Sequence, residues 1–273
     1  MIPEQVYREI ASLAYEKFGL DLRRGKRELV SARLSRKVRE SRSASYQEYF
    51  DLVKADATGQ SFLYMIDALT TNHTSFLREK THFDFLSKHA PTIFADRDRI
   101  CVWSAASATG EEVYTILMIL IEALHLPFPN PQTFSRLKVR GTDISIKALN
   151  EAKAAIYPQD KLAPLPEDWK TKYFLKGRGK AEGMAQVKPQ LKQMAEFETF
   201  NLIKPSSPTM RYPIIFCRNV MIYFDKSTQE RVTATLVDNL EAGGFLMIGH
   251  AENISGMEDS LTRIAPALYQ KKR

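Results

Sequence analysis

Two adjacent carboxylates, Glu111 and Glu112, follow a stretch of small residues that ends in Gly110. The apolar run Ile100 to Ser104 before that stretch predicts a buried strand, and Glu111 to Leu124 has helical spacing. Small residues let a ligand approach the backbone closely, and a helix amino terminus offers free N–H groups. Acids in a first helical turn are also favoured by the helix dipole alone, so simple capping is the alternative. Two carboxylates would repel a pyrophosphate, but they suit a cation such as S-adenosylmethionine, which carries an ammonium and a sulfonium.

Asp143 stands at the end of the next predicted strand, Leu137 to Thr142. An acid at that place in a doubly wound sheet can accept hydrogen bonds from both hydroxyls of a ribose. Capping of the helix that begins near Ser145 is the alternative role, and the two roles are compatible.

Arg218 and Asn219 follow a further predicted strand, Pro213 to Cys217, and an apolar stretch then leads to Tyr223. Ligands in open α/β sheets bind beyond the carboxyl ends of the strands. This segment therefore predicts polar groups at the same edge of the sheet as Asp143.

The segment Thr70 to Glu79 connects the amino-terminal part of the chain to the sheet. Interdomain linkers are usually bland and polar, whereas this one places amide, hydroxyl and guanidinium groups around Phe76. His73 within it is expected to be an exposed linker histidine. The unusual composition indicates that the linker contributes to a site.

The elements that would position these groups fall into two parts. Apolar residues recur at helical spacing through the first seventy residues, and no strand pattern is visible there. From about residue 98, short apolar runs alternate with amphipathic helices, which predicts a mostly parallel sheet covered on both faces. The stretch 158–192 breaks the alternation, and its glycines favour a small inserted hairpin around 184–187 over a loose loop.

The composition, with a net charge of +7, suits a globular protein with an acidic partner: nucleic acid, a membrane surface or an acidic protein. No apolar run approaches the ~18 residues that span a bilayer, and the first residues lack the layout of a secretion signal. Cys101 and Cys217 lie in apolar runs, which favours buried free thiols over a disulfide. No Cys/His spacing suggests zinc, so we expect no metal and a reducing, cytoplasmic setting.

Six segments together resemble the CheR family of chemotaxis receptor glutamate O-methyltransferases. In chain order they read LTTNHTSFLRE, VWSAASATGEE, GTDIS, FNLI, FCRNVMIYFDK and GHAENIS. The resemblance covers nearly the whole chain, and it implies an α/β protein with a small all-helical N-terminal, receptor-docking domain over 1–69. A linker over 70–97 would contribute to the cofactor site. A class I (Rossmann-like) methyltransferase sheet would occupy 98–273, with an inserted small antiparallel β-subdomain at about 163–195.

The resemblance also implies the residues of the site. Those expected to bind the cofactor are Asn72, Thr74, Arg78, Glu112, Asp143, Asn201, Leu202, Arg218 and Asn219. By motif position Glu112 would receive the ammonium of S-adenosylmethionine, Asp143 the ribose hydroxyls, and Asn201 and Leu202 would flank the adenine. The catalytic candidates are Arg78 and Tyr223, which would orient the incoming carboxylate. The first loop departs from the family pattern, since alanines at 106 and 108 replace the more usual glycine or Cys-Ser, but alanine still permits close approach.

The implied partner is the acidic, cytoplasmic helical bundle of bacterial chemotaxis receptors, with no nucleic acid and no direct membrane insertion. A basic face formed by Lys26, Arg33, Arg36 and Lys37 is either a docking surface for that bundle or a merely solvated face. A weak tether between residues 173–188 and a receptor C-terminal peptide is a further expectation.

Two alternatives remain beside the receptor methyltransferase. A nucleic-acid methyltransferase fits a basic class I sheet. Amino-methylating members, however, often carry an Asn/Asp-Pro-Pro-Tyr segment after the fourth strand, and this chain has no proline there, since the place reads Arg218, Asn219, Val220 and Met221. A non-catalytic, cofactor-bound regulatory module is the other alternative.

Overall fold

Helices account for the first part of the chain, as the periodicity predicts. The computed structural model describes residues 1–22, 25–70, 73–204, 210–257 and 259–273, and its first helices are α1 Glu4–Phe18, α2 Arg27–Glu40, α3 Tyr46–Ala55 and α4 Gln60–Leu69. Each helix contributes a fully buried side chain to one apolar core: Ile10, Leu34, Phe50 and Ile66. Burial of such a side chain contributes about 1.5–3 kcal/mol, so this shared core holds the bundle together.

Further helices accompany the sheet. They are α5 Lys80–Ile93, α6 Glu111–Ala123, α7 Pro131–Arg136, α8 Ile146–Ala154, α9 Glu167–Tyr173, α10 Pro189–Lys192 and α11 Lys226–Asp238. In α6 every residue from Glu111 to Ile121 is buried. A helix that is apolar on all sides has to lie in the interior, so α6 fixes the position of its amino terminus, where the two glutamates stand.

The strands form two sheets. They are β1 Ile100–Ser104, β2 Leu137–Asp143, β3 Ile156–Pro158, β4 Phe174–Lys176, β5 Met184–Val187, β6 Ala195–Thr199, β7 Tyr212–Cys217, β8 Leu240–Ile248, β9 Leu261–Ala265 and β10 Leu268–Lys271. The larger sheet has the order β6-β2-β1-β7-β8-β10-β9. Neighbours from β6 to β8 are parallel, and β10 is antiparallel to β8 and β9. The strand order reverses between β1 and β7, which is where a doubly wound sheet opens a crevice for a ligand.

The smaller sheet is antiparallel, with the order β3-β5-β4. The predicted small β-subdomain is therefore present. Its first strand lies at Ile156–Pro158, before the start that the sequence indicated at about residue 163. The register pairs Ile156 with Gln186 and Leu175 with the same glutamine, so these three side chains share one face.

Among the described residues, no helix is both long enough and apolar enough to cross a bilayer. Cys101 and Cys217 are free thiols, as predicted, and Cys217 is fully buried. Burial raises the pKa of both thiols.

Candidate cofactor and active site

A cavity of about 970 Å³, which includes the solvent at its mouth, opens at the carboxyl ends of β1, β2 and β7. Its volume suits a cofactor-sized ligand. The predicted site residues that line it are Thr74, Arg78, Glu112, Asp143, Asn201, Leu202, Arg218, Asn219 and Tyr223. Asn72, the remaining predicted residue, lies outside the described part of the chain. Residues from five separate segments thus converge on one cavity.

The two glutamates at the start of α6 point to different partners. Glu112 lines the cavity, where Ser104 Oγ donates to its Oε1 at 2.7 Å and Arg218 Nη1 lies 3.2 Å from its Oε2. Glu111 is fully buried and bonded to Lys161 Nζ at 2.6 Å and Thr109 Oγ1 at 2.6 Å. Only Glu112 can therefore meet a ligand, and Glu111 instead connects α6 to the segment after β3.

Burial raises the pKa of Glu112, although Arg218 and the Ser104 hydroxyl favour the charged form. A buried carboxylate with incomplete compensation gains from a cation placed beside it. An ammonium group of a ligand would supply that cation.

Asp143 holds the loop that precedes α6 against the end of β2. Its Oδ2 accepts from the Ala108 N–H at 2.9 Å, and its Oδ1 accepts from the Ser145 N–H at 2.9 Å. The cap of α8 is Ser145 itself, whose Oγ accepts from the Ala148 N–H at 2.9 Å. Burial raises the pKa of Asp143 against the effect of these N–H donors. Each carboxylate oxygen keeps a second lone pair, so two hydroxyls of a ribose can still be bound.

Gly110 is the residue that lets the loop turn into α6. Its φ is +93°, and a Cβ there would lie 2.8 Å from Ala152 Cβ and 3.2 Å from the Tyr157 hydroxyl. The loop therefore requires glycine at this position for both its backbone conformation and its packing.

Arg218 lies at the end of β7 with only 3% of its side chain exposed. Its Nε donates to Glu79 Oε2 at 3.2 Å, and its Nη2 donates to the Arg78 carbonyl. Its Nη1 makes no hydrogen bond within the described residues, although it faces Glu112. A buried guanidinium nitrogen at the cavity wall, held by an ion pair but by no hydrogen bond, suits a further acceptor such as a ligand carboxylate.

Glu79 and Glu252 bond to residues of the cavity wall without lining the cavity, and the sequence reasoning assigned neither of them. Glu252 accepts from the backbone N–H groups of Asn219 at 3.0 Å, Met221 at 2.7 Å and Gly249 at 2.6 Å. Both acids stand inside two of the six motif segments, which could have marked them as candidates. The sequence of a motif does not show, however, which groups an acid in it will bind. Together the two acids tie the linker and the end of β8 to the segment that follows β7.

Glu79, His82 and His250 each place one donor atom within 4.8 Å of the others. Such a set could hold a metal ion, but Glu79 already accepts from Arg218, Asn219 Nδ2 and the His250 N–H. The contacts are those of an ion-pair network around Arg218.

Arg78 and Tyr223 stand at the cavity, on the linker and on the segment after β7. Arg78 Nη1 donates to the His73 carbonyl at 2.8 Å, and the neighbours Leu77 and Glu79 both have φ of +54°. This path of the linker turns the Arg78 guanidinium back toward the cavity. His73 is exposed, as expected, and it also lines the cavity.

The amino-terminal helices contribute to the cavity as well, which the sequence did not predict. Phe18, at the end of α1, and Leu20, in the turn after it, line the cavity together with Phe200 and Leu202. Asn201 holds that turn in place, because its Nδ2 donates to the Lys17 carbonyl at 2.8 Å. One end of the cavity is therefore apolar, as an adenine ring requires, and is closed by the helical region.

The backbone of the same turn pairs with the segment after β7. The Asp21 N–H donates to the Tyr223 carbonyl at 2.8 Å, and Leu20 forms an antiparallel bridge with Phe224. Gly19 has a φ of +70°, and a Cβ there would lie 2.6 Å from Thr228 Cγ2. Close backbone approach thus fixes the helical region against the sheet.

Two family models match the chain. Residues 5–70 match the all-alpha domain of the CheR methyltransferases, and residues 72–268 match their SAM-binding domain. The chain belongs to the CheR methyltransferase family. The resemblance read from the six motifs is thereby confirmed, as is the predicted fold class. The SAM-binding domain of this CheR methyltransferase carries the cavity, and the all-alpha domain closes its apolar end.

Relatives of this CheR methyltransferase are found in several bacteria. The chain is 36% identical to the chemotaxis protein methyltransferase of Borreliella burgdorferi, covering 96% of this chain and 92% of the relative. It is 36% identical to chemotaxis protein methyltransferase 2 of Pseudomonas aeruginosa, covering 96% and 91%. It is 34% identical to the chemotaxis protein methyltransferase of Escherichia coli, covering 96% and 89%. These alignments span both domains.

The residues present fit S-adenosylmethionine from end to end. Glu112 and Arg218 Nη1, which makes no hydrogen bond among the described residues, suit the ammonium and carboxylate of its methionine part, Asp143 suits the ribose, and the apolar end suits the adenine.

Proposed function

We propose that this chain transfers a methyl group from S-adenosylmethionine to glutamate side-chain carboxylates of chemotaxis receptors. The observation that carries the proposal is one cavity that joins buried Glu112, hydrogen-bonded Asp143 and an apolar end. The names of the bacterial relatives support the choice of receptor as substrate.

Bound S-adenosylmethionine would supply an activated methyl group on a sulfonium. A glutamate carboxylate is already ionised at neutral pH, so its attack requires no general base. The tasks left to the protein are to align the carboxylate and to exclude water, and good alignment can contribute roughly 7–11 kcal/mol. In the lining of the cavity, Arg78 supplies a cation and Tyr223 a hydroxyl for this orientation.

The test is methyl incorporation from a radiolabelled donor into a purified receptor cytoplasmic fragment. A carboxyl ester is released by alkali, whereas N-methyl groups on amide or nucleic acid are not. We expect alkali-labile label on the receptor and none on nucleic acid. Alkali-stable label on nucleic acid would favour the alternative enzyme, and cofactor binding without turnover would favour a regulatory module.

We further propose that the basic face of α2 docks the receptor bundle. Arg36 and Lys37 share a single acid, Glu40, at 2.6 and 3.1 Å, so this exposed face keeps a positive excess. Arg33 is less suitable as a probe, because its guanidinium donates to the Leu69 carbonyl and so supports the fold.

Charge reversal at Arg36 and Lys37 should raise the KM for the receptor and flatten its salt dependence, because steering by opposite charge is lost. Arg8→Glu on α1 is a matched control, since Arg8 is also exposed and paired with a single acid, Glu4. An unchanged KM in the folded double variant would place docking on another surface.

A weak tether to a receptor tail is the last part of the proposal. The free edge of β4 and the exposed face of Ile156, Gln186 and Leu175 would receive an acidic, aromatic peptide at residues 173–188. Gly177 serves the turn itself, because a Cβ there would lie 1.9 Å from the Ala181 carbonyl oxygen. Gly179 and Gly183 have left-handed φ and open space beside them.

We expect micromolar or weaker binding, because a tether acts by raising local concentration and needs little affinity. Titration of the isolated tail peptide tests this expectation. Absent binding together with full activity on a tail-less receptor would make this enzyme tether-independent.

A further inference from the structure

Glu79 is a carboxylate on which three segments meet. It accepts from Arg218 Nε, Asn219 Nδ2 and the His250 N–H, each at 3.2 Å, and its side chain is only 14% exposed. It does not line the cavity, and no ligand group in the proposed function is assigned to it.

Arg218 stands between two carboxylates. Its Nε is bonded to Glu79 Oε2 at 3.2 Å, and its Nη1 lies 3.2 Å from Glu112 Oε2 on the other side. A guanidinium is a planar, rigid fork, so a partner that fixes Nε also fixes the direction of Nη1. Glu79, together with the Arg78 carbonyl that accepts from Nη2, thus determines how Arg218 faces Glu112.

The charges of these three side chains sum to −1 when both acids are ionised. Arg218 and the N–H donors lower the pKa of Glu79 against the opposing effect of burial, so it is the more readily ionised acid of the two. The amino-acid group of the ligand is a zwitterion, so its ammonium would lie beside Glu112 and its carboxylate beside Arg218, and the net charge of the cluster would not change. If the charge of Glu79 were lost, Arg218 would pair with Glu112 alone, and Glu112 would attract the ligand ammonium less strongly.

The backbone supports a positioning role. Glu79 and Asn219 both adopt left-handed backbone conformations, with φ of +54° and +57°, which residues other than glycine rarely adopt. Such strain persists where surrounding contacts over-determine it. The bond between these two residues joins the two strained positions directly.

We propose that Glu79 is a positioning residue. It pairs with Arg218, so that Arg218 is shared between Glu79 and Glu112, and Glu112 remains able to bind the ammonium of the cofactor. This inference rests on the proposed role of Glu112. It predicts that the loss of Glu79 weakens only those ligands that carry the amino-acid group.

The experiment compares two ligands by calorimetry on the full chain: S-adenosylhomocysteine, and 5′-methylthioadenosine, which lacks the ammonium and carboxylate. Glu79→Gln keeps the shape of the side chain and removes its charge. We expect it to raise the Kd of S-adenosylhomocysteine by about tenfold or more, and that of methylthioadenosine by no more than about twofold. Glu79→Asp, which keeps the charge, should recover part of the loss.

Glu252→Gln is the matched control, because Glu252 holds the same segment through backbone N–H groups. A loss that arises from disturbed structure or from the general removal of an acid should fall on both ligands in that variant. Equal losses for both ligands in Glu79→Gln, or no loss for either, would overturn the inference.

Glu112→Gln separates this inference from the proposal beneath it. If Glu112→Gln weakens S-adenosylhomocysteine selectively and Glu79→Gln does not, only the role of Glu79 is refuted. If Glu112→Gln itself leaves both affinities unchanged, the proposed ammonium site is wrong, and the role of Glu79 is refuted with it.

Discussion

Replacement of Asp143 by alanine gives the most direct test of the cofactor site. The carboxylate already accepts the Ala108 and Ser145 N–H groups at 2.9 Å each, which fixes its plane at the end of β2. Two ribose hydroxyls would occupy its remaining lone pairs, and a hydrogen bond to a charged group contributes about 1.5–3 kcal/mol. Because water replaces part of the loss, we expect binding to weaken by about 2–4 kcal/mol, or roughly 30- to 1000-fold in Kd.

The assay is calorimetry with S-adenosylhomocysteine and with its 2′-deoxy analogue. The unaltered chain should prefer the ligand with both hydroxyls, and Asp143→Ala should lose most of that preference. Such a cycle isolates the contact between the acid and the hydroxyl from general effects of the substitution.

Asn130→Ala provides the control for damage to the backbone. Asn130 Oδ1 accepts the N–H of the residue two positions later at 2.8 Å, as Asp143 does, but it stands before α7, away from the cavity. An Asp143→Ala variant that is folded and binds both ligands as the unaltered chain does would remove Asp143 from the cofactor site. The same conclusion would follow if the unaltered chain bound S-adenosylhomocysteine and its 2′-deoxy analogue with equal affinity.

Three further results are expected. Arg78→Ala should lower turnover by more than it lowers S-adenosylhomocysteine affinity, because its proposed task is to orient the carboxylate; equal losses in kinetics and calorimetry would make it a cofactor anchor only. Phe18→Ala should weaken the binding of S-adenosylhomocysteine by about tenfold, because an apolar contact is lost. Phe62→Ala removes the ring that stacks on Phe18 at 5.5 Å, and it should reduce stability with less effect on affinity. A larger loss of affinity in Phe62→Ala than in Phe18→Ala would contradict the assignment of Phe18 to the cavity wall. Burial and the nearby Arg218 lower the pKa of His82 to about 4, so the folded state binds fewer protons than the unfolded state between pH 6.5 and 4. The free energy of unfolding should therefore fall by up to about 3 kcal/mol as the pH is lowered from 6.5 to 4. Chemical denaturation should show a flatter dependence in His82→Asn, and an unchanged slope would mean that other groups carry the acid sensitivity.

The sequence predicted the sheet and the strand ends well, because continuous apolar runs such as Tyr212–Cys217 can only be buried on both faces. It failed where the local pattern was weak. The helix Lys80–Ile93 carries Pro91 inside it and mixed polar residues, and it fell within the predicted linker. The last two strands were also missed, since Leu261–Ala265 is largely exposed and shows no apolar run.

The roles of neighbouring residues could be predicted only in part. Glu111 and Glu112 read as one acidic pair, but consecutive helical residues point about 100° apart, and only packing decides which one faces the cavity. That decision depends on Lys161, a residue fifty positions later that binds Glu111. Phe18 and Leu20 were missed for the same reason, because their contacts with the cavity wall are remote in sequence and leave no periodic signal.

The turn after α1 links the cofactor cavity to the proposed receptor-binding surface of the helical domain. It serves as a wall of the cofactor cavity, and α2, which we propose binds the receptor, begins only a few residues later at Arg27. Coupling between two bound ligands is reciprocal. A receptor contact that stabilises this turn in its position at the cavity wall would therefore raise cofactor affinity, and a bound cofactor would raise receptor affinity by the same factor. The affinity of the enzyme for a receptor would then depend on whether its cofactor cavity is occupied.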